Sequence, residues 1–139
     1  MVLPVIILGA VLILQAPAEP NPVKRARLAL TNSEHAASKA GEACKAGDLD
    51  GCLGQLREVQ ESVELADKSL DETGIDPGRN PRHFKDAEIR TRKILRQVDA
   101  LRTYMHGEDI DRFETVYQRI SDINDRLLAG IMSKTKKRK

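Results

Sequence analysis

The stretch 109–133, DIDRFETVYQRISDINDRLLAGIMS, decides the fold. Its apolar residues Ile110, Phe113, Val116, Ile120, Ile123, Leu127 and Ile131 recur at steps of three or four. That spacing draws one apolar stripe along an α-helix and leaves the rest of the circumference polar. Working back through the chain, the same pattern appears three more times. From Arg82 to Met105 it runs Phe84, Ala87, Thr91, Ile94, Val98, Leu101 and Met105. From Asp48 to Thr73 it runs Leu49, Leu53, Leu56, Val59, Val63, Ala66 and Leu70. From Val23 to Ala46 the stripe is Val23, Ala26, Leu30, Ser33, Ala37, Ala40 and Cys44, mostly small residues.

The joints agree with four helices. Gly47 can close the first and Asp48 cap the second. Asn80-Pro81 reads as a helix start. Gly107-Glu108-Asp109 ends one helix and begins the next. Short connections favour antiparallel neighbours with coiled-coil-like seams. The expected fold is therefore all-α: an antiparallel up-down-up-down four-helix bundle made of two helical hairpins. Two hairpins that do not close into one bundle are the alternative.

Charge alternates along the chain. Lys24 to Lys45 has a net charge of +3, Asp48 to Glu72 of −6, Arg79 to Arg102 of +5 and Glu108 to Arg126 of −3. If each helix packs on its sequence neighbours, opposite signs meet at every contact. Exposed pairs contribute only about 0.2–1 kcal/mol each, so such alternation selects partners more than it stabilises.

Val2 to Leu14 is an uncharged apolar run, and Ala16-Pro17-Ala18 after it offers the small residues that signal peptidase accepts. The reading is a signal peptide at 1–18, a four-helix domain at 19–133 and a basic tail at 134–139, in a protein exported to the periplasm or beyond. No basic residue precedes Lys24, so a membrane anchor through residues 2–18 is the competing reading. Thirteen helical residues span about 20 Å, short of a hydrocarbon core of about 30 Å.

Cys44 and Cys52 lie four residues either side of Asp48. Across an antiparallel hairpin those positions face each other, within reach of a disulfide, and an oxidising compartment would close it as a structural staple. Residues 43–66, with Lys45-Ala46-Gly47-Asp48-Leu49, Cys52-Leu53, Leu56 and Val59, resemble a tetratricopeptide-type helical hairpin. The resemblance implies a tight helix-turn-helix in a protein-binding role. The pattern does not recur about 34 residues later, as an array would require.

Residue sets for catalysis are missing. His35, His83 and His106 stand at no metal-ligand spacing, and neither CxxC nor CxxCH occurs. Nucleophile elbows and glycine-rich phosphate loops are absent as well. Glu58, Glu61, Glu64 and Asp67 lie on the polar side of their helix. No enzyme, cofactor or metal is expected.

The basic third helix and the tail residues Lys134, Lys136, Lys137, Arg138 and Lys139 would attract an anionic membrane surface or envelope polymer. Nucleic acid is disfavoured because no aromatic residue is placed for base stacking. The expected function is binding or scaffolding, with a protein as the main partner. The alternative is a periplasmic chaperone-like or envelope-surface-binding protein.

Overall fold

A computed structural model describes residues 16–133, and within them the chain forms four long helices. They are α1 (Pro22–Lys45), α2 (Leu49–Glu72), α3 (Arg82–Asp99) and α4 (Glu108–Met132), with a 3-10 segment, Ala100–Tyr104, between the last two. No strand occurs among the described residues.

Each start has a local cause. Asn21 caps α1 by accepting the Lys24 N–H at 3.0 Å, with Pro22 following it; this cap lies just before the expected start at Val23. Asp48 caps α2 through the Gly51 N–H at 2.9 Å. At the start of α3, Asn80 makes no cap: its own N–H goes to the Asp76 carbonyl, and the Pro81 carbonyl accepts from Lys85 at 2.7 Å. Gly47 (φ +82°) and Gly107 (φ +58°) make the two tight turns, in backbone geometry that strains any residue with a Cβ.

The third segment does not stay α-helical to Met105. It tightens into the 3-10 turn at Ala100, and Leu101 and Met105 both remain buried. Arg102 fastens this turn to α4. It gives Glu114 two hydrogen bonds at 2.7 and 3.1 Å, pairs with Asp99, and lies 4.7 Å from the Tyr117 ring centroid and 5.1 Å from that of Phe113.

The core is the set of stripes. Leu30, Leu56, Val59, Val63, Ile94, Val98, Phe113 and Ile120 are essentially inaccessible. On α1, Ala29, Ala36, Ala37 and Ala40 are buried, and their small size lets α2 approach closely. Ile110 is the exception to its stripe, at 43% exposed.

Helix neighbours differ from the expected order. Arg25, near the start of α1, hydrogen-bonds Ser69 at 2.8 Å and Glu72 at 2.5 Å near the end of α2, so α1 and α2 run antiparallel. Glu88 and Asn124, then Arg102 and Glu114, join α3 to α4 in the same sense. Between the hairpins, Arg90 on α3 holds Glu34 on α1, while Arg119 and Arg126 on α4 hold Glu64 and Asp67 on α2. Contacts between α2 and α3 are sparse. Thus α1 stands beside α3 and α2 beside α4, and the connection 73–81 crosses from one hairpin to the other. The expectation of opposite signs at every contact holds within each hairpin and fails between them.

Candidate anionic-partner interface

That neighbour order separates charge in space. On α3, Arg82, Lys85, Ile89, Lys93 and Arg96 recur at steps of three or four, and all five are exposed. They lie opposite the buried stripe of Phe84, Ala87, Thr91, Ile94 and Val98, because both sets follow the helical period. Alongside, α1 contributes exposed Lys24, Arg27, Lys39 and Lys45. Of the charged bases on this wall, Lys24 pairs with Glu19 at 3.5 Å and Arg90 is taken up by Glu34 and Asp86. Arg27, Lys39, Lys45, Arg82, Lys85, Lys93 and Arg96 enter no ion pair among the described residues. Exposed acid on α1 and α3 comprises Glu42, the Asp86 that faces Arg90 and the Asp99 that pairs with Arg102.

The opposite wall, α2 with α4, is acidic. Asp50, Glu61, Asp71, Asp111, Asp122 and Asp125 are exposed there. Two net-negative helices can adjoin because bases are placed locally in their seam. Arg119 gives Glu64 a hydrogen bond at 2.6 Å, and Arg126 pairs with Asp67. Burial pushes the Asp67 carboxyl above its ordinary range, and Arg126 opposes that shift. At the far end of the seam the helices part around a cleft of about 440 Å³, lined by Asp50, Leu53, Arg57, Arg112 and Val116 among others.

Charge also differs between the two ends of the bundle. Arg27 lines a small cleft with His83 and Asp86 where α1 and α3 begin, and Arg82 and Lys85 stand in the first turn of α3. The other end carries Asp48, Asp50, Glu108, Asp109 and Asp111, with Lys45 and Arg112 among them. A wall of this kind supplies a dense positive field to phosphate or carboxylate groups, and any such contact weakens steeply with salt. It supplies no stacking surface: Phe84 and Phe113 are in the core, and Tyr104 and Tyr117 are half-buried.

The cysteine pair is placed as expected. Cys44 and Cys52 are disulfide-bonded with Cα atoms 5.3 Å apart, both buried, joining the last turn of α1 to the first of α2. The basic tail residues Lys134 to Lys139 lie outside the described residues, as does most of the expected signal segment. Its last three residues, Ala16 to Ala18, form a helical turn. No group of three or more potential metal ligands gathers among the described residues. Within the same residues no helix is long and apolar enough to cross a membrane.

Net charge per segment hinted at the α3 stripe, but that α1 extends it was hidden until the helices were placed. Comparison of the chain with protein-family models, with curated proteins and with solved structures finds no match.

Proposed function

We propose that this is an exported, non-enzymatic binding protein whose α1/α3 wall receives an anionic partner. In this reading residues 1–18 direct export and are removed, and the Cys44–Cys52 staple forms outside the cytoplasm. The helices make an up-down-up-down bundle from two hairpins laid side by side. The observation that carries the reading is the row Arg82, Lys85, Lys93 and Arg96, exposed and without ion-pair partners among the described residues, in a fold that pairs Arg25, Arg90, Arg92, Arg102, Arg119 and Arg126 with carboxylates. Arg57, Lys68 and Arg112 are also exposed and without ion pairs among the described residues, but they stand among the many exposed carboxylates of α2 and α4. The α3 row stands among few and is available to a partner.

Retention on immobilised poly-glutamate in a salt gradient tests this. Replacing Arg82, Lys85, Lys93 and Arg96 by Gln should move elution to clearly lower salt, whereas Glu61→Gln on the other wall should not. Unchanged elution of the fourfold variant would remove the α3 wall as the binding surface.

A further inference from the structure

We infer that the anionic partner is a second copy of this chain, whose α4 lies along α3; this rests on the reading of the basic wall as the binding surface. On α3 the exposed bases are spaced evenly about one apolar residue. Lys85 and Lys93 stand four residues either side of Ile89, and Arg82 and Arg96 stand seven. Ile89 is itself 43% exposed. The outer face of α4 carries the complementary spacing. Asp111 stands seven residues before Gln118, and Asp122 and Asp125 stand four and seven after it; all four are exposed. From 82 to 96 and from 111 to 125 the step is the same fourteen residues, about 21 Å of helix. With Ile89 opposite Gln118, three of the bases fall opposite the three aspartates whichever way the two helices run.

These rows cannot meet within one molecule. Each lies opposite the buried stripe of its own helix, Ile94 and Val98 on α3 and Phe113 and Ile120 on α4, so both face away from the bundle. Asp111, Asp122 and Asp125 enter no ion pair among the described residues. Asp122 accepts a hydrogen bond from Gln118 at 2.8 Å and stands near Arg119. Most charges beside the rows are already engaged. On α3, Asp86 pairs with Arg90, Arg92 with Glu88, and Asp99 with Arg102. On α4, Arg119 pairs with Glu64, Arg126 with Asp67, and Glu114 with Arg102. Arg112, exposed beside Asp111, is the exception and leaves the Asp122–Asp125 half of the row the more negative. The other acidic helix offers no such row, since the exposed residues of α2 mix Arg57 and Lys68 with Asp50 and Glu61. Docking α3 on the α4 of the next molecule leaves one row of each pair unused, so association continues as a chain or until a ring closes. Exposed charge pairs contribute little individually and are screened by salt, so the association is weak and belongs to low salt and high protein concentration.

Sedimentation velocity of the purified protein tests this. The parent should associate with rising concentration at about 10 mM ionic strength, where the Debye length is about 30 Å, and dissociate at about 1 M, where it is about 3 Å. Each base removed from the row should weaken association by up to about fivefold. A basic-row variant (Arg82→Gln, Lys85→Gln, Lys93→Gln, Arg96→Gln) and an acidic-row variant (Asp111→Asn, Asp122→Asn, Asp125→Asn) should each stay monomeric while keeping native helical circular dichroism. Mixed one to one, they should form a heterodimer and grow no further, because one intact row of each sign remains. Asp50→Asn with Glu61→Gln and Asp71→Asn removes as many negative charges from α2 and should associate like the parent. A monomeric parent at low salt, association that survives high salt or loss of the basic row, an equal loss in the α2 variant, or no heterodimer from the mixture would each overturn the α3–α4 contact. Salt-labile retention on poly-glutamate without self-association would leave the anionic-partner reading standing and remove the second copy; failure of both would remove both.

Discussion

Arg90 on α3 holds Glu34 on α1 through two hydrogen bonds, Nη2 to Oε1 at 2.7 Å and Nε to Oε2 at 3.0 Å. The pair joins two helices that are both basic, and it does so where their net charges alone would push them apart. Local complementarity overrides segment charge, because a bidentate pair acts at contact distance while the remaining charges are spread and screened. A double-mutant cycle on Glu34→Gln and Arg90→Gln should give a favourable coupling near the upper end of about 0.2–1 kcal/mol, since Glu34 is partly exposed. Zero coupling would mean that apolar packing alone sets the α1/α3 contact.

Two core substitutions should move stability in opposite directions. Ile120 is fully buried, and Ile120→Ala should cost about 2–5 kcal/mol through lost burial and a cavity. Thr91 is equally buried, but its hydroxyl has no hydrogen-bond partner among the described residues. Thr91→Val keeps the shape and removes that unsatisfied group, so it should raise stability by about 1 kcal/mol. Denaturant unfolding measures both, with exposed Glu61→Ala as a control expected within about 0.5 kcal/mol of the parent. A loss of stability in Thr91→Val would show that the hydroxyl is satisfied in solution.

Asp67 should leave a signature in the acid range. Burial raises its carboxyl above the ordinary 3.8 in the folded state, against the pull of Arg126. The folded protein then holds this proton more tightly than the unfolded chain does, so the Asp67 contribution is most favourable at low pH and declines as pH rises through the shifted value. The difference in Tm between the parent and Asp67→Asn should fall as pH is raised from about 3.5 to about 6. A difference independent of pH would mean that Arg126 fully offsets the burial.

The staple can be tested together with processing. Removing both Cys44 and Cys52 by substitution with Ala should cost about 2–3 kcal/mol in the loop-entropy account while leaving helical circular dichroism intact at low temperature. Protein recovered from outside the cytoplasm should have an intact mass that starts at Glu19, or within two residues of it, and lacks two hydrogens for the disulfide. Free thiols in that protein would remove the staple, and a retained Met1 would remove the signal reading.

Much of this was legible in the sequence. The 3.6-residue period placed all four helices to within a residue or two, except where α3 tightens at Ala100, and the symmetry of Cys44 and Cys52 about Asp48 placed the bridge. Periodicity gives the buried face of a helix and carries no label for which other helix covers it. Short turns at Gly47 and Gly107 fix their hairpins, but the longer connection 73–81 allows α2 and α3 to be neighbours or diagonal. Segment charge pointed to neighbours. The choice is made instead by particular side chains, Glu34 with Arg90, Glu64 with Arg119 and Asp67 with Arg126, whose meeting depends on three-dimensional register. The charged wall was hidden for the same reason, since it exists only once α1 and α3 share a side.

The central claim is that like-charged helices share a wall. Nuclear Overhauser contacts between methyl groups test it most directly. The structure predicts contacts between α2 and α4 along the seam where Arg119 reaches Glu64 and Arg126 reaches Asp67, and between α1 and α3 beside the Glu34–Arg90 pair. Contacts running instead along the length of α2 and α3, with none between α2 and α4, would restore the alternating order and dissolve the basic wall.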